Sequence, residues 1–167
     1  MPVTDNHLKF IQFLEKTIGL HRGDPESNKQ ITKWLKFVNI DDKNAPFCAA
    51  YVSYMVNEFQ PDNTFKKSAS ALGLYRNNID KKVDKPYTGC LFFWDFGNET
   101  GHTGIVCNVN VPETGRMITI EANTKKDKTE SAGSERTGGW VAKRERSCIP
   151  GVYNKIKLID CFIDPFL

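Results

Sequence analysis

Residues 46–59, PFCAAYVSYMVNEF, read as a helix whose first turn holds a cysteine. Cys48, Val52, Met55, Val56 and Phe59 recur at i, i+4, i+7, i+8 and i+11, one face of a helix, and Tyr51 widens that face. Pro46 suits a position at or just before the first turn, where its missing N–H leaves nothing unpaired. A helix N-terminus carries roughly half a positive charge and favours a thiolate over a thiol. A free cysteine is also a small hydrophobe that packs into cores. From this stretch alone, Cys48 is either a reactive thiol or a packing residue.

Composition narrows the class. A chain of 167 residues with 40% hydrophobic, 26% charged and 11% aromatic content is long enough to bury one core, so 1–167 is expected to be a single domain. No apolar run approaches the ~20 residues of a membrane span, so no membrane insertion is expected. The start, MPVTDNHLKFIQFLEK, lacks the basic and uninterrupted apolar regions of a signal peptide, which predicts synthesis in the cytoplasm. The net charge of +3 comes with no basic helix or aromatic–basic ladder, so nucleic acid is not an expected partner. The cysteines at 48, 90, 107, 148 and 161 form no CxxC pair and there is no HxxxH, which argues against structural zinc. Cys107 and Cys161 lie in apolar strand-like runs and read as core.

Around the cysteine helix, periodicity predicts helices over 5–18, 29–38 and 68–75. The first is expected to be capped by Thr4 and to bury Leu8, Ile11, Leu14 and Ile18, with Phe10 and Phe13 in support. The second should bury Ile31, Trp34, Leu35 and Val38. Polar segments over 19–28 and 76–89 are expected at the surface. Strands follow over 89–95, 104–111, 116–122, 139–145 and 156–163, with a long loop over 123–139. Helices first and antiparallel strands second predict an α+β fold: N-terminal helices packed on a curled, mainly antiparallel sheet of five to six strands.

A cysteine nucleophile needs a base within reach and a group to orient that base. His7 and His21 read as surface residues, on a polar helix side and in a Gly/Asp loop. His102 stands at the mouth of a strand, with Gly101 and Gly104 leaving space around it for substrate. Taken singly, His102 is equally a structural residue, Glu121 a solvated strand-end charge and Asn123 a turn residue. Glu121 and Asn123 are two apart and share a face while the strand stays regular, so either could orient the imidazole.

The order of these residues carries a resemblance. PFCAAYVSYMV resembles the nucleophile motif of the CHAP (cysteine, histidine-dependent amidohydrolase/peptidase) family, relatives of the NlpC-type cell-wall peptidases with a papain-like fold. GCLFFWDFGNETGHTGIV is similar to that family's strand–GHVGIV segment, and ITIEANT to its strand ending in a Glu/Asn pair. The resemblance implies Cys48 as nucleophile, His102 as general base and acid, Glu121 as the orienting residue, and Asn123 as a polar residue that assists or replaces it. It further implies an oxyanion held by the Cys48 N–H, with Asn44 as a candidate second donor. Phe47, Asn44, Gly101 and Trp94 are the candidates for substrate contact.

Two departures are a Phe47 where the family often has Trp and a Cys90 where it usually has an acid. No DxDxDG-like loop is present, so neither a metal nor another cofactor is expected. The function implied is peptidoglycan hydrolysis, by an N-acetylmuramoyl-L-alanine amidase or a peptidoglycan endopeptidase, in a phage-type lysin or an exported antibacterial effector. The alternatives are a cysteine-dependent acyl or peptidyl transferase, another amide hydrolase, or a non-catalytic cell-wall-binding module. The partner implied is bacterial peptidoglycan, reached by a monomer with the help of export machinery or a holin, or held in check by an immunity protein.

Overall fold

Among the described residues, side-chain caps start three of the four α-helices. Thr4 caps α1 (Asp5–Glu15), Asp24 caps α2 (Pro25–Phe37), and Ser70 caps α4 (Ala71–Asn77), each accepting a hydrogen bond from a first-turn N–H. The remaining helix, α3 (Cys48–Phe59), has no such cap. The computed structural model of the chain describes residues 3–110, 115–126, 138–149, 151–153, 156–159 and 162–167. Most of the loop expected over 123–139, most of the 112–115 segment (PETG) between the second and third expected strands, and Cys161 lie outside them.

The strands are β1 (Lys82–Val83), β2 (Leu91–Gly97), β3 (Thr100–Asn110), β4 (Arg116–Thr124), β5 (Trp140–Ser147), β6 (Gly151–Tyr153), β7 (Ile156–Leu158) and β8 (Phe162–Ile163). Among the described residues they form one eight-stranded antiparallel sheet. Its order is β1-β8-β2-β3-β4-β5, with β7 pairing β2 and β6. The α+β class is as expected, with more strands among the described residues: the run read as one strand over 156–163 is two short ones, and β1 and β6 were not anticipated.

Residues 48–56 of α3 are all buried, and the helix packs against α1, α2 and α4 as well as β3 and β4. A helix apolar nearly all round belongs inside a protein. Strand β2 lies in the middle of the sheet and is buried on both faces from Leu91 to Trp94. Its alternation divides the core: Leu91 and Phe93 join the helix-side cluster, while Phe92 and Trp94 join a second cluster with Val106, Met117 and Phe162.

Several details differ from the sequence expectation. Helix α1 stops at Glu15, and its buried face is His7, Phe10, Ile11 and Leu14, leaving Leu8 and Ile18 exposed. His7 is buried because it has partners. Its Nδ1 accepts from the Thr4 N–H at 3.1 Å, and its Nε2 meets Asp164 at 3.1 Å, tying α1 to the C-terminal end of the chain. Helix α2 starts at Pro25, inside the segment read as loop, because Asp24 caps it and Pro25 suits the first turn. The polar run 76–89 is not all surface. Asn78 is fully buried, its amide bonded to the Lys66 and Leu74 carbonyls, and Lys81 is buried against Thr64 and the Leu167 carbonyl.

The two faces of α1 give a test. Leu14 is 0% exposed and Leu8 49% exposed. Leu14→Ala should cost about 2–5 kcal/mol of unfolding free energy in urea titrations. Leu8→Ala should stay within about 0.5 kcal/mol. Equal losses would restore Leu8 to the buried face.

Candidate active site

Cys48 is the first residue of α3, and the residue before it, Phe47, is fully buried and supplies no side-chain hydrogen bond to the helix end. The first-turn N–H groups are therefore left to other acceptors. The Ala49 N–H and, from β3, the Thr103 N–H bond the Cys48 sulfur.

His102 lies within β3, opposite Trp94 of β2. The strand begins at Thr100, so the imidazole projects from paired backbone rather than from a strand mouth. Its Nε2 lies 2.9 Å from Glu121 Oε2, which leaves Nδ1 for the Cys48 thiol, the other group that raises the imidazole's pKa. Gly101 lines the same cleft as His102, and both glycines also permit a close approach. A Cβ at Gly104 would come within 2.7 Å of Glu121 Cγ, so its absence lets the Glu121 side chain cross to His102. A Cβ at Gly101 would come within 2.4 Å of the Trp94 carbonyl oxygen, where backbone and strand pack too closely for a side chain.

Glu121, on β4, is 0% exposed. Its Oε1 accepts from Thr119 Oγ1 at 2.6 Å and Arg146 Nε at 2.7 Å. Its Oε2 accepts from Arg146 Nη2 at 2.6 Å as well as from His102. Arg146 comes from β5, 4% exposed, with its guanidinium 4.6 Å from the centre of the Trp94 ring.

The electrostatics follow from these contacts. Burial favours a neutral Glu121, but the charge and hydrogen bonds of Arg146, and then of His102, hold the carboxyl well below its usual range. Burial also works against an imidazolium at His102, yet the Cys48 and Glu121 bonds raise its pKa to about 9. For Cys48, burial pushes the thiol up. The His102 bond and charge, with the Thr103 and Ala49 N–H groups, outweigh it and bring the thiol below its ordinary value. The pair can therefore stand as thiolate and imidazolium. The other described thiols with a resolved shift, Cys90, Cys107 and Cys148, all move upward, burial being the first cause in each.

Cys48 and His102 open into a cleft of about 320 Å³ lined by Pro46, Cys48, Phe96, Thr100, Gly101, His102 and Asn123. Asn123 reaches it through a break in the strand. The β4–β5 register shifts between Glu121 and Thr124, and Asn123 takes a left-handed φ of 57°. Asparagine tolerates that conformation better than most residues. The bulge separates two residues that a regular strand would hold side by side. Glu121 stands behind the imidazole and Asn123 in the cleft, and among the described residues no hydrogen bond joins Asn123 to His102.

Compared with protein families, the chain matches the CHAP domain over residues 40–123, half of its 167 residues. It belongs to the CHAP family. CHAP domains are cysteine, histidine-dependent amidohydrolases/peptidases, so the protein is an enzyme of that class. A search of curated proteins gave no match. The CHAP match takes in Cys48, His102, Glu121 and Asn123 and ends before Arg146.

The remaining candidates fall elsewhere. Asn44 is exposed and is not among the residues lining the cleft; its carbonyl accepts from Arg22 Nη1 at 3.1 Å. As a second oxyanion donor it is therefore misplaced. Phe47 is buried in the helix-side core, and Trp94 lies under Arg146 rather than on the cleft wall. The cleft residues Phe96 and Thr100 and the buried Arg146 were not anticipated. The signal for Arg146 was the alternation Arg144, Glu145, Arg146 beyond Val141 and Ala142, but the strand expected over 139–145 stops one residue short of it. Among the described residues no group of three or more His, Cys, Asp or Glu side chains is placed to hold a metal.

The thiolate–imidazolium pair should persist from the lowered pKa of Cys48 up to about 9, where His102 loses its proton. Below that window the sulfur is protonated; above it the imidazolium is lost. Iodoacetamide alkylation of Cys48, followed peptide by peptide by mass spectrometry, should have its midpoint below the ~8.5 of an ordinary thiol. In His102→Ala the midpoint should rise to about 8.5 or beyond, since burial then acts without the imidazolium. An unchanged midpoint would show that His102 does not hold the thiolate.

Proposed function

We propose that this CHAP enzyme is a peptidoglycan hydrolase that cuts an amide bond through a Cys48 thioester. CHAP domains typically act on peptidoglycan. The observation that carries the reading is that Cys48 and His102 line one cleft, which also presents Asn123, while Glu121 is hydrogen-bonded to the imidazole 2.9 Å away.

The Cys48 thiolate attacks the carbonyl carbon of the scissile amide and forms a C–S bond. Negative charge moves to the carbonyl oxygen, held by the N–H groups of the uncapped α3 terminus, the Cys48 N–H foremost. Asn123, which lines the cleft, assists there in place of Asn44. When the intermediate collapses, the C–N bond breaks and the departing nitrogen takes a proton from His102 Nδ1. Water, giving up a proton to His102, then attacks the thioester, releasing a carboxylic acid and restoring the thiolate–imidazolium pair. Glu121 keeps the imidazole in one tautomer and orientation throughout.

The bond cut is the N-acetylmuramoyl–L-alanine amide or a peptide bond of the stem or cross-bridge, and the site of action is the cell wall, reached after release or export as a lysin or an antibacterial effector. Digestion of purified peptidoglycan and defined muropeptides, read by mass spectrometry, tests each part. Hydrolysis should leave a new carboxylate on the fragment, whereas transfer would leave a new amide. Cys48→Ala should lower the rate by at least about 10³-fold. If Cys48→Ala digests peptidoglycan as fast as the wild type, the mechanism is wrong.

A further inference from the structure

We propose that Arg146 is a positioning residue of this active site: it grips both oxygens of Glu121, keeps that carboxylate charged and aimed at His102, and is itself held in place by Trp94. The inference rests on the reading of Cys48 and His102 as the reacting pair.

A carboxylate offers about four hydrogen-bonding positions, and Glu121 receives four donors: Thr119 Oγ1, Arg146 Nε, Arg146 Nη2 and His102 Nε2. Three of the four come from groups other than the imidazole, so they set where Oε2 lies before His102 is considered. The guanidinium is a planar fork that matches a carboxylate at two points, which a lysine ammonium does not. Trp94 holds that fork with its ring face, 4.6 Å from the guanidinium carbon. Trp94 was a candidate for substrate contact; it is not among the residues lining the cleft, and its ring stands between Arg146 and His102, 6.4 Å from the imidazole.

Charge balance gives the second argument. Among the described residues, the charged groups meeting here are Cys48 from α3, His102 from β3, Glu121 from β4 and Arg146 from β5, while β2 contributes the neutral Trp94 and β4 the Thr119 hydroxyl. Arg144, two residues away on β5, donates to the Lys125 carbonyl. As thiolate, imidazolium, carboxylate and guanidinium, the four charges sum to zero. Without Arg146 the buried group carries a net negative charge, which uptake of a proton relieves. A protonated Glu121 no longer stabilises the imidazolium, and the thiolate then loses its own partner.

The test measures Cys48 alkylation against pH, which needs no substrate and so stands apart from the peptidoglycan reading. In Arg146→Met the alkylation midpoint should rise by about one pH unit, a roughly tenfold slower reaction on the acid side. Arg146→Lys, which keeps the charge and loses the fork, should shift it by about half as much. In a Glu121→Gln background, Arg146→Met should shift the midpoint by less than about a third of that amount, because the route through the carboxylate is gone. A purely structural arginine would lower thermal stability and leave the midpoint in place. If Arg146→Met does not fold, Arg146→Lys carries the test, and a folded Arg146→Lys that titrates like the wild type overturns the proposal. A shifted midpoint in a protein that leaves peptidoglycan uncut would sustain the role of Arg146 and remove the substrate assignment.

Discussion

The carboxylate of Glu121 has no contact with water, and much of the site is arranged around keeping it charged. Leaving one partner of a buried ion pair without the other typically costs about 3–5 kcal/mol, so such a charge is tolerated only where its partners are built in. Here they come from different strands: Thr119 on its own strand, His102 from the neighbour on one side and Arg146 from the neighbour on the other. Gly104 provides the space through which the side chain passes. The antiparallel pairing of β3, β4 and β5 therefore does more than close a core. Its register decides which polar groups meet on one face.

Helix α3 supplies the other half of the constraint. Its body is core on all sides, which fixes its axis, while its first turn lies at the end of a cleft. Because Phe47 packs inward and offers no cap, the N–H groups at that end remain for the sulfur and for developing negative charge. A well-capped helix would be the more stable element and the poorer site. Burial and reactivity of Cys48 are thus compatible: low exposure raises the demand for a counter-charge, and His102 meets it.

Much of the frame was legible in the residues. The period of α3, its boundaries and the doubly buried strand 91–94 follow from runs of apolar side chains long enough to admit one reading. Errors fell where a polar residue was buried by partners distant in the chain. His7 was assigned to the surface because its hydrogen bond to Asp164 spans 157 positions, and with His7 inward the face of α1 turns and Leu8 is left in solvent. Asn78 and Lys81 were assigned to the surface for the same reason. Asn44, two residues before Pro46, was close in sequence to the nucleophile but is not among the residues lining the cleft.

At the site, residue types and order were enough to single out Cys48, His102 and the Glu121/Asn123 pair, because that chemistry requires a thiol, an imidazole and a polar group in separate elements. Which of the pair meets the imidazole was open in the sequence, since a regular strand places both on one face. The bulge after Glu121 decided it, turning Asn123 into the cleft and leaving Glu121 on His102. The pairing of Arg146 with Glu121 was likewise beyond reach of the sequence. Periodicity specifies which side chains share a face of a strand, but the register of neighbouring strands determines which charges come together, and that register is set only when the sheet forms.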